Sequence, residues 1–217
     1  MGTDLPATLA ESWHPIGTKT GESSVLVASI HAETTVYGPT EPADGIETLE
    51  SLDIPPRSLF TVDLSISPSL SAVGVSPDSV FSKAAPKAKS QFVDTLEDEG
   101  LVVEETRNTL EFEATNGAAG AWYVLDAGYP VPLDGDGRST NLGVEAHVAV
   151  WPLEETFGMA GGIVPLEEPG DGSETDAGTL PATLGSFDLD PEHDRETIAE
   201  LIRSPSPAGA ASSAQSE

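Results

Sequence analysis

The sequence predicts an α+β domain with a central antiparallel sheet of about six or seven strands, covered by a long helix and a C-terminal helix. Several segments alternate apolar and polar residues, as strands with one buried face do. Residues 77–99 instead repeat apolar side chains every three or four positions, which is typical of a helix. Strand-like runs in the second half are joined by short turns, which favours an antiparallel meander.

We expect a single domain over residues 1–204, because 217 residues suit one domain of ordinary size. Two segments within it, 38–57 and 167–186, are acidic and rich in Pro or Gly, so they are predicted to be loops. Residues 205–217 (PSPAGAASSAQSE) offer almost no side chain to bury. We therefore predict a disordered low-complexity tail there.

Two strands are predicted before the long helix. Alternation over 25–37 and over 58–67 indicates half-buried antiparallel strands that can be neighbours. The long helix begins after the N-cap Ser76 and ends before Gly100, whose type suits the left-handed position after a helix. Because Pro86 lies inside it, we expect a kink or two abutting helices.

The second half predicts a meander followed by the closing helix. The predicted strands are 101–107, 110–115, 121–129, 142–151 and 157–166, with an Asn116-Gly117 turn in the first hairpin. Large side chains on both faces of 121–129 indicate a strand that is covered on two sides. Glycines at 158, 161 and 162 predict a bulge or a close approach. The closing helix starts at Asp190-Pro191 and buries Ile198, Leu201 and Ile202.

The charge balance predicts a protein adapted to high salt. Thirty-seven Asp and Glu face nine Lys and Arg, which gives a formal charge of −28. Such self-repulsion opposes the compact state in dilute buffer, but at molar salt the screening length falls to about 3 Å. Acids in nearly every segment, with only four lysines, resemble the proteins of salt-accumulating haloarchaea. This resemblance implies a protein of such an archaeon, and we expect it to be cytoplasmic because no export signal is visible.

Composition also disfavours several classes of function. The absence of cysteine excludes disulfides, thiolate metal sites and a cysteine nucleophile. Direct binding of nucleic acid is not expected, since it needs clustered Lys and Arg. Nucleic-acid mimicry is disfavoured because the acids are not concentrated in one segment. No apolar run approaches the ~20 residues of a membrane span, and we see no export signal, so we expect no membrane association.

The element order resembles the fold of PsbP, the extrinsic photosystem protein, which accessory proteins of Ran-dependent nuclear import share. The resemblance rests on the strands VLVASIHAETTVY and SLFTVDLSI, the helix SPDSVFSKAAPKAKSQFVDTLEDEG, the hairpin LEFEATNGAAGAWYVLDAG and the closing FDLDPEHDRETIAELIRS. It implies an α/β/α sandwich over about residues 20–204. It also implies a non-catalytic role as a binding or assembly accessory.

Two histidines and two glutamates are candidate metal ligands. His31 and Glu33 lie on the polar side of one predicted strand, and Glu145 and His147 lie on the polar side of another. If the two strands were adjacent, these four side chains would form a carboxylate-histidine metal site. The alternative is a set of histidines that make ordinary hydrogen bonds.

Two further groups of charged residues are candidate binding sites. Asp134 and Asp136 lie in a Gly-rich turn that offers oxygen ligands to calcium, although a solvated hairpin loop is the alternative. Lys83 and Lys87 lie one helical turn apart and are the candidate surface for a protein partner. A solvated helix face is the alternative for this pair.

No catalytic motif is present, so we expect a non-catalytic accessory or protein-binding domain with no resident cofactor and at most weak cation binding. The chain would be a monomer or a small homo-oligomer. The alternative is a metal-dependent or paired-carboxylate hydrolase that uses the polar face of the sheet. Its candidate acids are Glu33, Asp63 and Glu145.

We predict that the protein loses secondary structure when salt falls from molar concentration to about 0.1 M, because the carboxylates then repel one another unscreened. A circular dichroism titration with potassium chloride measures this. Full structure retained in dilute buffer would contradict the interpretation of the charge.

Overall fold

The computed structural model describes residues 3–25, 28–41, 52–132, 139–166, 189–203 and 206–207. The strands are β1 (Thr3–Asp4), β2 (Trp13–Val25), β3 (Ala28–Pro39), β4 (Ser58–Ser67), β5 (Val102–Glu113), β6 (Ala119–Pro132), β7 (Ser139–Pro152), β8 (Phe157–Pro165) and β9 (Ser206–Pro207). The helices are α1 (Pro77–Asp98) and α2 (Pro191–Arg203), and a short 3₁₀ turn covers Ser71–Val73.

Seven strands form one antiparallel sheet in the order β2-β3-β4-β8-β7-β6-β5, and β1 pairs separately with β9. Strands β5 to β8 follow one another as a meander. Before this meander, the chain passes from β4 in the interior of the sheet to β5 at its edge, and α1 spans that crossing. The predicted α+β class, with one long and one C-terminal helix, is confirmed, as is the pairing of β3 with β4.

The sheet is covered on both faces because its middle strands are apolar on both. One face packs against α1 through Phe92 and Leu96, which contact a core that includes Leu125 and Val148. The opposite face packs against α2 through Ile198, Leu201 and Ile202. The predicted two-sided burial of β6 is confirmed, since Trp122 and Val124 belong to the α2-side core and Tyr123 and Leu125 to the α1-side core.

The ends of α1 form as the sequence predicts. The Ser76 hydroxyl oxygen accepts a hydrogen bond from the Ser79 backbone N–H at 3.3 Å, which caps the N-terminus. Gly100 has φ +95°, and the N–H groups of Gly100 and Leu101 donate to the carbonyls of Glu97 and Leu96. This is the pattern of a Schellman C-cap, which requires a left-handed residue.

Pro86 does not divide α1, which is one helix of 22 residues. Pro86 has no N–H to donate to the backbone carbonyl four residues earlier in the helix. Because the proline lies on the exposed side of the helix, water can reach that carbonyl. The prediction of two abutting helices is therefore wrong.

No helix in the described part of the chain is both long and apolar enough to cross a membrane.

Two strands of the seven-strand sheet differ from the prediction, and the short pair β1 and β9 was not predicted. β2 was not predicted, because most of its side chains are exposed and so carry no alternation. β5 is one strand rather than two, and its register shifts between Val103 and Glu105 and between Thr106 and Asn108. Each shift reverses the alternation of the following residues, which explains why one strand looked like two.

Some predicted segments lie wholly or largely outside the described residues. These are the middle of the loop 38–57, the loop 167–186 and most of the tail 205–217. Within the predicted tail, Ser206–Pro207 is described and pairs with Thr3–Asp4.

Glycines in β8 permit close approach by neighbouring groups, as predicted. A Cβ at Gly161 would lie 1.9 Å from the carbonyl oxygen of His147, and one at Gly162 would lie 2.5 Å from the carbonyl oxygen of Ser58. A Cβ at Gly158 would lie 2.2 Å from the ring of Trp151. These contacts leave no room for a side chain, since two involve backbone atoms that cannot turn aside.

We predict that Gly161→Ala lowers the free energy of unfolding by about 3 kcal/mol or more, because the added methyl group forces β8 away from β7. Gly143→Ala in β7 is the matched control, since nothing lies within 4 Å of a Cβ there. Urea unfolding in molar potassium chloride measures both. Equal stability of the two variants would contradict the predicted clash.

Candidate functional site

Glu145 is a carboxylate at the centre of a buried cluster on the α2 face of the sheet. It lies on β7 with 3% of its surface exposed, directly opposite Asp126 of β6. A buried carboxylate is costly unless it is paired and hydrogen-bonded. The surrounding side chains supply both.

Two arginines from different elements meet this carboxylate. Arg195 of α2 forms a fork, with its Nε 2.6 Å from Oε2 and its Nη2 3.1 Å from Oε1 of Glu145. Arg107 of β5 donates from Nη1 to Glu145 Oε1 and from Nε to Asp126 Oδ2 at 3.1 Å. Arg107 is the residue that the second register shift of β5 leaves unpaired, and such a bulge redirects a side chain.

His147 completes the cluster two residues along β7. Its Nε2 lies 3.3 Å from Glu145 Oε2, and its Nδ1 lies 3.2 Å from Nε1 of Trp122. The indole N–H can only donate, so Nδ1 must accept. The ring proton therefore lies on Nε2 and points at Glu145, which fixes a neutral tautomer.

These contacts decide the ionisation of Glu145. Burial by itself raises the pKa of this carboxyl group. The hydrogen bonds from His147 and Arg195 and the charge of Arg195 lower the pKa by more than burial raises it. The pKa falls to about 2 as a result. The hydrogen bond to Glu145 in turn raises the pKa of Arg195, so both partners stay charged.

The arrangement stabilises the fold rather than offering a reactive group. Oε1 of Glu145 accepts from both arginines, and Oε2 accepts from Arg195 and His147, so all four acceptor positions are used. A general base needs a free lone pair and a pKa near the working pH, and Glu145 has neither. The cluster (Glu145, Asp126, Arg107, Arg195, His147 and Trp122) instead joins β5, β6 and β7 to α2.

A second buried ion pair fixes α2 to the other half of the sheet. Arg57, just before β4, donates from Nε and Nη2 to Asp194 Oδ1 at 3.0 and 2.7 Å. The same guanidinium lies 5.8 Å from the ring centroid of Trp13. Trp13 is buried in the α2-side core, so it anchors the start of β2 as well.

The strand order separates the four predicted metal ligands. Glu145 and His147 are in contact, but His31 and Glu33 lie on β3, with β8 and β4 in between. Through Gly162 and Leu59, His147 is in register with Tyr37, six residues along β3 from His31. The gap is therefore roughly 14 Å across the strands and about 20 Å along them.

The assumption that the two strands are adjacent is wrong, because two further strands pair between them. Among the described residues, no group of three or more His, Asp or Glu side chains is placed to hold a metal ion. His31 Nδ1 instead lies 3.7 Å from Oε1 of Glu22 on the edge strand. The calcium candidates Asp134 and Asp136 lie outside the described residues.

The remaining predicted residues lie in three places. Glu33 is directly opposite Asp63 across β3 and β4, whereas Glu145 lies far from both. Lys83 and Lys87 are exposed on α1, so the partner surface stays a prediction. Lys89 is engaged, because its Nζ donates to Thr106 Oγ1 at 3.0 Å and lies above the ring of Tyr123.

A small cavity lies away from the cluster, beside the edge strand β2. Its volume is about 220 Å³, and the residues that line it are Ile16, Gly17, Thr18, Lys19, Val36 and Asp53. Lys19 Nζ lies 2.6 Å from Glu99 Oε1 and 3.5 Å from Asp53 Oδ2. None of the predicted site residues contributes to this cavity.

Sequence reasoning did not find Arg107, Arg195, Asp126 or Trp122. One available signal was the scarcity of cations, since the chain has only five arginines. A retained guanidinium in so acidic a chain suggests a specific carboxylate partner, because Arg pairs with carboxylates through a planar fork. Which carboxylate it meets depends on the strand order.

We predict that wild-type protein loses roughly 3 kcal/mol of stability through Glu145 as pH falls from about 4.5 to about 2. The folded pKa lies below the unfolded one, so the contribution is full above 4.5 and disappears as the carboxylate protonates. Urea unfolding at a series of pH values in molar salt measures it.

The Glu145→Gln variant should lack this part of the pH dependence and be less stable at neutral pH, since two guanidinium groups lose their anion. Glu111→Gln, at an exposed site on β5, is the matched control and should keep the wild-type slope. If the free energy of unfolding depended on pH in the same way for wild type and Glu145→Gln, the cluster would not hold the carboxylate ionised.

Comparison with known proteins identifies a family. Residues 16–205 match the family described as a domain of unknown function (DUF6517). No curated protein and no solved structure matches the chain. The match begins in the edge strand β2, ends just after α2 and takes in the whole ion cluster. The chain therefore belongs to the DUF6517 family.

Proposed function

We propose that this domain is a non-catalytic accessory or protein-binding module that works in the cytoplasm of a salt-accumulating archaeon. The observation that carries the proposal is the state of Glu145. This carboxylate is buried, accepts four hydrogen bonds and has its pKa lowered to about 2. A buried acid that catalyses usually has the opposite character, with a raised pKa and an open side.

The position of the other acids supports adaptation to salt. Glu104, Glu105, Glu111 and Glu113 of β5 are all exposed, as are Asp94, Glu97 and Asp98 of α1. Exposed carboxylates keep such a protein hydrated, while their mutual repulsion needs salt to screen it. Buried pairs such as Arg57 with Asp194 are screened much less, so they keep holding the core.

The proposal of an accessory role draws on the resemblance to PsbP. The long helix, the meander and the closing helix follow one another as in that resemblance, with the helices on opposite faces, but three strands of the main sheet precede the long helix instead of two. Function inferred from such a likeness of fold is an analogy, so it is put forward as part of the proposal.

The alternative is a paired-carboxylate hydrolase, and one observation favours it. Glu33 and Asp63 are cross-strand partners, which places their Cβ atoms about 5 Å apart. Carboxyl groups on cross-strand neighbours can approach the roughly 5 Å at which one carboxyl group acts as acid and the other as nucleophile. Glu33 is exposed, however, whereas a catalytic pair needs a cleft that excludes water.

We predict that the purified domain, in molar potassium chloride, retains one protein from an extract of a salt-accumulating archaeon. The complex should re-form at defined stoichiometry from the two purified proteins. Sedimentation velocity and mass spectrometry measure this. Glu33→Gln with Asp63→Asn should bind as the wild type does.

The hydrolase alternative makes the opposite prediction. It requires turnover of simple ester, phosphoester or glycoside substrates that the same Glu33→Gln/Asp63→Asn variant loses. Glu111→Gln/Glu113→Gln on β5 is the matched control for removing two exposed acids. Such turnover, with the control unaffected, would overturn the accessory proposal.

A further inference from the structure

One segment of this acidic chain is almost free of acids. Residues 64–93 contain a single acidic residue, Asp78, and three of the four lysines, whereas the whole chain has 37 Asp and Glu. The segment runs from β4 through the 3₁₀ turn into the first three-quarters of α1. The part of α1 before Asp94 therefore has an exposed side on which another acidic molecule meets little repulsion.

Five exposed residues form a line along this side of the helix. Lys83, Lys87, Ser90, Asp94 and Glu97 are separated by steps of four, three, four and three, so they share one side of α1. We call this line the α1 stripe. Its first two members are positive and its last two negative, with a serine at the centre.

This order of charges does not stabilise α1 by itself. A helix dipole favours acids near the N-terminus and cations near the C-terminus. The stripe has the reverse order, and the last turn of α1 carries no basic residue. Lys83 and Lys87 also repel each other one turn apart. The arrangement therefore requires an explanation outside the isolated helix.

We propose that the α1 stripe binds the same stripe of a second copy of this chain, with the two helices antiparallel. A two-fold axis near Ser90 then relates the copies. The centres of the lysine pair and of the acid pair each lie about 8 Å from Ser90 along the helix. Lys83 and Lys87 of one copy accordingly face Asp94 and Glu97 of the other, and the reverse pairing follows by symmetry.

The stripe fits a second copy better than another acidic protein. It carries both signs at equal distances from its centre, which makes it complementary to itself. A wholly acidic partner would meet Asp94 and Glu97 as like charges, which is unfavourable. Short side chains at Ser82, Pro86 and Ser90 leave space for the second helix.

Molar salt favours this pairing over dispersal. At a screening length of about 3 Å, the repulsion between two copies of net charge −28 is largely removed. The charges of an ion pair in direct contact lie at about that separation, so salt weakens their attraction less than it weakens the long-range repulsion. The inference does not depend on the proposed function, because the domain can pair with itself whether or not it binds another protein.

The test is sedimentation equilibrium of the full chain in molar potassium chloride, up to about 1 mM protein. Wild-type protein is expected to form dimers. Lys83→Glu/Lys87→Glu makes the stripe wholly acidic, and Asp94→Lys/Glu97→Lys makes it wholly basic. Each variant alone should raise the dissociation constant about tenfold or more, because like charges then meet across the axis.

Two combinations distinguish the proposal from a general effect of charge. The quadruple variant, with all four signs exchanged, should dimerise as wild type does. An equimolar mixture of the acidic and the basic variants should form a heterodimer tighter than the wild-type dimer. Glu111→Lys/Glu113→Lys on β5 has the same charge change as the basic variant and should keep wild-type dimerisation.

The outcomes decide the matter in either direction. A wild-type protein that stays monomeric overturns the proposal and leaves the α1 stripe to a different partner. A quadruple variant as monomeric as the double variants also overturns it. Circular dichroism of every variant checks that the chain is folded. If one double variant is less stable, formation of the heterodimer in the equimolar mixture still tests the pairing.

Discussion

The fold depends on covering both faces of β7 and β8, which are buried on the two sides of the sheet. Val148 of β7 faces the α1 side, and Ala149 faces the α2 side with Ala160 of β8. Neither face can be left to water, since each would expose a large apolar surface. α1 and α2 are therefore both necessary. Glycines in β8 let the neighbouring backbone and Ile198 of α2 come close enough to close these faces.

The buried cluster around Glu145 follows from the same constraint. Once β7 is buried on both sides, a carboxylate on it must find cations within the protein, and α2 and β5 each supply an arginine. Docking of α2 and neutralisation of Glu145 are thus one event. Because Glu145 itself is buried, molar salt screens its ion pairs less than it screens pairs of two exposed groups. The chain keeps few cations, and three of its five arginines hold α2 or the buried acids in place.

The surface is organised by a different rule. Exposed acids dominate β5 and the C-terminal end of α1, whereas the segment before them is nearly free of acids. In a chain of net charge −28, such a gap marks where contact with another acidic molecule costs least. The buried carboxylates Glu145 and Asp194, by contrast, are paired with arginines and serve the fold.

The sequence by itself determined the elements whose side chains report their own environment. Alternation located β3, β4 and β7, strand-like apolar runs located β6 and β8, and the caps located both ends of α1, because these patterns are local. β2 escaped because an edge strand with exposed side chains has no apolar period, and the bulges of β5 disguised one strand as two. Tertiary structure alone decided the site. His31 and His147 each have a glutamate two residues away, but β4 and β8 lie between their strands and keep them apart. A bulge in β5 brings Arg107 to Glu145, and α2 brings Arg195 there. Contacts between distant segments depend on strand order, which no local pattern of residues records.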